Sequence, residues 1–385
     1  MPNPSINQST ITEDVVRPTH VEVNLSRLKD NFNAIRNHVK PARIMPVLKA
    51  NAYGHGMVRV AQLMEELNAD YIGVAVLEEG ILLRQNGIKM PILVTGGILG
   101  NQVPHFIEHD LTLTASSIVK LEQIEQSAQA LGKRAKVHLK IDTGMERIGV
   151  HYYSAESFLE KAASSKHLLV EGVFSHLARS EEQDLSYTRL QLERFLEVLS
   201  FFEKRDIEPP PLKHIANSGA ILQMPESYLD MVRPGIMLYG IYPGTDTKRT
   251  IEVRPALAWK SRVVYFKVVK PDHPVGYGSK WQSDHPVRAV TIPVGYGDGY
   301  FRSMSNKSKV LIRGQSYPVV GTISMDQIVA NIEDGTAYNN DEVLLIGEID
   351  GEQIRCEDLA DWAGTIPYEI LTNINTRVPR IYVND

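Results

Sequence analysis

From about residue 43 to residue 235 the chain repeats one rhythm: a short apolar run rich in β-branched residues, then a longer stretch of helical period. Strands are expected at 42–49, 70–76, 91–96, 111–114, 135–142, 167–176, 212–216 and 228–235, with helices such as 57–68, 115–131, 155–165 and 182–205 between them. In 182–205, Leu192, Phe195, Leu196 and Leu199 fall on one helical face. Eight such strands over about 190 residues predict a parallel (β/α)8 barrel. An open doubly wound sheet is the other home for this rhythm, but no G-x-G-x-x-G follows the first strand.

After about residue 252 the texture changes. Runs at 259–269, 287–295, 308–314, 315–324, 327–333 and 341–348 alternate or are β-rich, joined by Gly, Pro, Asn and Asp turns. They predict a mostly antiparallel β domain over 253–385. The run at 20–25 also reads as a strand, which pairs in this reading with the C-terminal domain. That leaves a flexible polar tail over 1–17 and a barrel domain over 18–252. A hydrophobic fraction of 43% in 385 residues is enough for real cores, and 41 basic against 46 acidic residues, without a basic block, argue against nucleic acid as a partner. No apolar run reaches the ~18 residues of a membrane span, and the N-terminus lacks a secretion pattern. The single cysteine, Cys356, excludes an internal disulfide, and no Cys/His cluster has zinc spacing. A cytoplasmic protein without a metal site is expected.

In a (β/α)8 barrel the chemistry sits where strands end. The first strand ends at Lys49, which at the mouth of the barrel is partly desolvated; desolvation lowers an ammonium pKa and leaves an amine able to condense with an aldehyde or take a proton. A strand-end lysine that merely snorkels is the plainer reading. The fifth strand presents Lys140, with Arg147 in the loop beyond; an ion pair between Lys140 and Asp142 is the plainer alternative. His176 closes the sixth strand. Asn217 and Ser218 open the helix after the seventh, where free N–H groups suit an anion. Arg233 closes the eighth, followed by Pro234, Gly235 and Ile236, whose N–H groups can cradle a phosphate. One partly buried amine with a phosphate cradle suits pyridoxal phosphate.

The strings VLKANAYGHG, LKIDTGMERIG, HIANSGA, MVRPGIMLYG, GYGDGYFRSMSNK, GTISMDQ and IPYEILTNINTRVPRIYV closely resemble those of bacterial alanine racemases, in order and from about residue 18 to the end. The resemblance implies that Lys49 carries pyridoxal 5'-phosphate covalently, with Tyr53, Asn217, Ser218, Gly235, Ile236 and Tyr368 around the phosphate and Arg233 facing the pyridine nitrogen. An arginine keeps its proton, so the ring stays a weak electron sink. Tyr277 would be the second base, supplied by a partner subunit and backed by a relay of His176 and Arg233. Arg147 would bond the cofactor and the substrate carboxylate, with Met325 and Asp326 of the partner nearby, and the lysine matching Lys140 is carbamylated in many members. A head-to-tail homodimer with shared sites follows, as does a role in supplying D-alanine for peptidoglycan.

Glu146, beside Arg147, departs from the usual family string and could compete for its guanidinium. Gly278, Ser279, Lys280 and Trp281 form a basic insertion after Tyr277. These departures leave serine, lysine or arginine as alternative substrates. A decarboxylase of the same fold type would need a catalytic cysteine, whereas Cys356 reads as part of a surface helix, and a non-catalytic cofactor carrier would not need Tyr277. GYGDG at 295–299 reads as a turn.

Overall fold

The computed structural model describes residues 17–384. Of the tail expected over 1–17, residues 1–16 lie outside the described residues, while Arg17 is fixed: its guanidinium donates to the Asp298 carboxylate and to the Pro293 carbonyl. The chain forms two compact units. One is Leu25–Ala256; the other joins the first strand, β1 (His20–Asn24), to everything from Leu257 onward.

Within Leu25–Ala256 the strands are β2 (Arg43–Ile44), β3 (Ile72–Val74), β4 (Ile92–Val94), β5 (Leu113–Ala115), β6 (Ala135–Asp142), β7 (Val150–His151), β8 (Leu168–Phe174), β9 (Leu212–His214) and β10 (Met231–Val232). All pair in parallel, and β7 is a short offshoot of β6. Backbone hydrogen bonds close the other eight into a ring. Leu48 N–H donates to Gly73 O at 2.8 Å, Thr112 N–H to Ile92 O at 2.9 Å and Asp230 N–H to Lys213 O at 3.0 Å, while β10 returns to β2. The expected (β/α)8 barrel is thus the fold. Its strands carry helices outside and packed side chains inside, so β6 is buried at every residue but Lys136. Met45, Tyr71, Leu93, Leu212 and Met231 pack as one interior cluster.

Several details differ from the sequence reading. Only Met231 and Val232 of 228–235 are strand, because Pro234 and Gly235 turn the chain away. The helix Ser186–Lys204 buries Leu192, Phe195, Val198, Phe201 and Phe202, and Leu196 is exposed; three-residue spacing from Leu192 and Phe195 leads to Val198 instead. The helix Leu25–Val39 was not among the expected ones, although Leu28, Phe32, Ile35 and Val39 recur at helical spacing on its buried face.

The second unit is one sheet in the order β12-β13-β16-β15-β14-β17-β11-β1-β19, built from β1, β11 (Leu257–Arg262), β12 (Tyr265–Val269), β13 (Val287–Ile292), β14 (Lys309–Ile312), β15 (Gln315–Val320), β16 (Ile328–Glu333), β17 (Glu342–Ile349) and β19 (Arg380–Val383), with β18 (Glu352–Ile354) paired to β17. It is antiparallel except where β1 lies parallel to β19. The single run expected at 259–269 is two strands broken at Val263 and Val264. Cys356 opens the helix Cys356–Ala363 as its inward residue and is buried, not on the surface. No helix among the described residues is long and apolar enough to cross a membrane.

Candidate active site at the barrel rim

Lys49 is not the last residue of a strand. It opens a left-handed turn in which Ala50, Asn51, Ala52 and Tyr53 have φ of 52°, 56°, 53° and 51°. For residues bearing a Cβ this conformation costs about 1–2 kcal/mol each, so the turn has to be held. Ala52 N–H donates to Leu48 O at 2.7 Å, Met57 N–H to Asn51 Oδ1 at 2.9 Å and Ala50 N–H to Glu79 Oε1 at 2.7 Å. Burial lowers the Lys49 ammonium pKa, the Arg147 charge lowers it further, and the Glu79 carboxylate opposes both. The outcome is an amine biased toward its neutral form.

On the same barrel unit Ser218, Gly235 and Tyr53 come close together. Gly235 N–H donates to Ser218 Oγ at 2.9 Å. A Cβ on Gly235 would stand 2.9 Å from Tyr53 Oη, so glycine is required for this close approach. Tyr53 stacks on Tyr239 with ring centroids 5.0 Å apart, and Tyr239 Oη donates to Val47 O at 2.9 Å. Burial raises the Tyr53 pKa, which keeps it a phenol and hence a donor. Ile236, buried, begins the next short turn. Asn217 differs from expectation. Its Oδ1 accepts from Ala220 N–H at 3.2 Å and Ser180 Oγ at 2.6 Å, and its Nδ2 donates to Leu177 O at 3.3 Å, so the side chain is committed to capping the helix Ser218–Gln223.

Arg233 is fixed by acceptors on several strand ends. Nη1 donates to His214 Nδ1 at 2.9 Å; Nη2 donates to Ser175 O at 2.8 Å, Ile215 O at 3.1 Å and His176 Nδ1 at 3.2 Å. Burial pushes the guanidinium down to about 9, which leaves it cationic at neutral pH. Because guanidinium only donates, both histidines accept at Nδ1 and carry their proton on Nε2. His214 then donates from Nε2 to His138 Nδ1 at 2.9 Å. Burial first, then Arg233, hold all three imidazoles below their ordinary range and neutral.

Lys140 is buried with its Nζ 4.5 Å from the Phe174 ring centroid, and burial, followed by Arg233, holds its pKa far below the usual lysine range. Its ion pair with Asp142 does not form. Asp142 instead accepts from the N–H groups of Gly144, Met145, Glu146 and Arg147; burial works to raise its pKa, but these bonds outweigh it and hold the carboxyl low. That cap shapes the loop carrying Arg147. Glu146 does not compete for the guanidinium: its carboxylate lies 3.7 Å from His151 Nδ1.

In the other unit Tyr277 begins the short turn Tyr277–Ser279 and is 71% exposed, while its carbonyl accepts from Thr322 Oγ1 at 2.7 Å. Met325 is 52% exposed. Asp326 accepts from Arg377 Nη2 at 2.8 Å, and Arg377 Nε donates to buried Asp298 at 2.7 Å. The GYGDG turn is therefore an anchor, with Asp298 tying Arg17 and Arg377 to Gly295 N–H. Tyr368 is half-buried in the helix Pro367–Asn373. Trp281 packs on Val269, Val287 and Ala289, so that insertion closes a core. Burial first, then Glu357 and Asp358, push the Cys356 thiol far above its ordinary value, which is unsuited to a catalytic thiolate.

Sequence reasoning missed Glu79, His138, His214, Tyr239, Asp298 and Arg377. His138 had a usable signal, since it alternates with Lys140 on β6 and so shares its inward face. The others act through contacts with residues distant in the chain.

Residues 23–243 match the family model "Alanine racemase, N-terminal domain" and residues 256–382 the model "Alanine racemase, C-terminal domain". The chain is 43% identical to an alanine racemase of Carboxydothermus hydrogenoformans over 96% of its own length and 100% of the relative's. It is 42% identical to alanine racemase 2 of Caldanaerobacter subterraneus over 96% of both. Among solved structures it resembles alanine racemase of Clostridium difficile 630 with a TM-score of 0.91 at 38% identity, covering 96% of this chain and 97% of that one. A barrel rim carrying an amine and a pinned arginine, with both family models matched in order along nearly the whole chain, makes this protein a member of the alanine racemase family.

Proposed function

We propose that the protein interconverts L- and D-alanine with pyridoxal 5'-phosphate as cofactor. The observation that carries the reading is the convergence, on one barrel rim, of an amine lowered in pKa with the Ser218, Gly235 and Tyr53 cradle and the fixed Arg233. These groups fit the cofactor. Lys49 would hold its aldehyde carbon, Ser218 with the N–H groups of Gly235 and Ile236 and the phenol of Tyr53 its phosphate, and Arg233 its ring nitrogen. When bound, pyridoxal phosphate supplies the electron sink that acidifies the amino acid's Cα–H.

The protein's own groups do the rest. Neutral Lys49 takes or returns the Cα proton on one face. Tyr277 of the partner subunit serves the other, so the active form is a head-to-tail homodimer with shared sites. His176, which accepts from Arg233 at Nδ1, keeps a proton on Nε2 that can stabilise a phenolate. Arg147 and the Met325 backbone of the partner subunit receive the substrate carboxylate, with Asp326 of the partner subunit beside it. Burial favours the uncharged amine of Lys140, the form that would add carbon dioxide and release a proton to solvent, and the resulting carbamate anion would orient Arg147.

The test is a panel of L- and D-amino acids incubated with the protein and pyridoxal phosphate in deuterated water. L-Alanine is expected to yield D-alanine deuterated at Cα, with serine, lysine and arginine turned over far more slowly. Loss of carbon dioxide from a basic amino acid, without racemisation, would overturn the reading.

A further inference from the structure

We infer that Glu79 is a positioning residue for Lys49: its carboxylate fastens the left-handed turn 50–53 to the end of the neighbouring strand and so fixes where the amine stands. This rests on the function proposed above. One oxygen, Oε1, accepts from Ala50 N–H at 2.7 Å, directly after Lys49. The other, Oε2, accepts from Ala75 N–H at 2.8 Å and Val76 N–H at 3.3 Å, where β3 gives way to the helix Leu77–Gln85. One half-buried carboxylate thus ties together the exits of two adjacent barrel strands.

The tie is needed because the turn is strained. Ala50, Asn51, Ala52 and Tyr53 all sit at positive φ without a glycine among them, and each gains by leaving that conformation. Glu79 holds the first of the four. Its charge matters as well as its geometry. Of the groups acting on Lys49, Arg147 disfavours the ammonium and Glu79 favours it, and Lys49 in turn acts on His176. The same carboxylate disfavours ionisation of Tyr53 and Tyr239. Glu79 therefore fixes the place of the amine and offsets part of what burial and then Arg147 do to its charge.

The test follows capture of pyridoxal phosphate by the full-length, cofactor-stripped protein, read as loss of free-aldehyde absorbance across a range of pH. Glu79→Gln loses the charge and keeps only one of the two oxygen acceptors; it is expected still to bind the cofactor to full extent, with the midpoint of the rate–pH curve moved to lower pH. Glu79→Ala loses both and is expected to capture about 10- to 100-fold more slowly at every pH. An unmoved midpoint in Glu79→Gln overturns the inference even if Glu79→Ala cannot be folded, and even if thermal stability falls, since a mere strut would alter stability alone. A Glu79→Ala protein that captures at the parent rate overturns it too. A parent protein that captures no cofactor refutes the proposed function instead.

Discussion

His138 offers a measurement of how the protein keeps Arg233 in place. Its ring is buried inside the barrel, accepts from His214 and has no partner at Nε2, and burial followed by the Arg233 charge pushes its pKa down to about 3. In the unfolded chain the same ring titrates near its ordinary value of 6.5. Unfolding between those values takes up a proton. The folded state is therefore fully favoured by this residue above about pH 6.5 and loses roughly 1.4 kcal/mol per unit as pH falls toward its folded pKa. At pH 4.5 the loss is about 2–3 kcal/mol from this ring alone. Replacing it by leucine removes the titration and also strands the His214 Nε2–H donor, at a cost of about 1–3 kcal/mol at any pH. His138→Leu should thus be less stable than the parent at pH 7.5, yet lose about 2–3 kcal/mol less on acidification to pH 4.5. Urea unfolding followed by far-UV circular dichroism is the assay. Trp259, Trp281 and Trp362 all lie outside Leu25–Ala256, so their fluorescence reports the other unit. Parallel stability–pH curves for parent and variant would refute a neutral, buried His138 and with it the tautomers assigned to the chain.

Gly235→Ala places a methyl 2.9 Å from Tyr53 Oη, and an overpacking cost of about 1–3 kcal/mol should weaken pyridoxal phosphate binding about 10- to 100-fold in equilibrium dialysis. Asp298→Asn removes the anion between Arg17 and Arg377 and should destabilise the second unit by about 1–3 kcal/mol, less than a fully buried pair because both arginines are partly exposed. Burial tends to raise the Asp298 carboxyl, but Arg17 and Arg377 depress it. Its contribution is therefore present above the usual carboxylate range and lost as pH falls through its lower folded value, a loss that tryptophan fluorescence should show in the parent and not in the variant. Tyr277→Phe should slow Cα proton exchange far more from one alanine enantiomer than from the other. Chains bearing it, mixed with Lys49→Ala chains, should regain activity in heterodimers, and no recovery would contradict shared sites.

How much the sequence discloses depends on whether a residue acts locally. The strand Ala135–Asp142 is legible to the residue because its side chains alternate apolar and polar without a break, the period of a strand, between polar turns. The eight-strand count, and with it Lys49, Ser218, Arg233 and Gly235 as rim residues, follows from the same periodicity. The turn after Lys49 is another matter. Ala-Asn-Ala-Tyr carries no glycine, and its left-handed course depends on Glu79, 29 residues away, which no window around residue 50 contains. Asn217 was readable as a helix opener, but Ser180 and Leu177, which occupy its side chain, come from another loop. Leu196 shows the limit of periodicity, since two residues of one helical stripe can differ in burial according to what packs opposite.

The parallel pairing of β1 with β19 has a consequence for synthesis. Val21 and Val23 of β1 are registered against Arg380 and Tyr382, which follow far later in the polypeptide. As the chain leaves the ribosome, the barrel has all its strands once residue 256 has emerged, but β1 must wait with one edge unsatisfied until residues 380–383 have followed. A nascent chain stalled between those points would carry a finished cylinder and an open seam. Losing Arg380–Val383 would leave that seam unsealed for good.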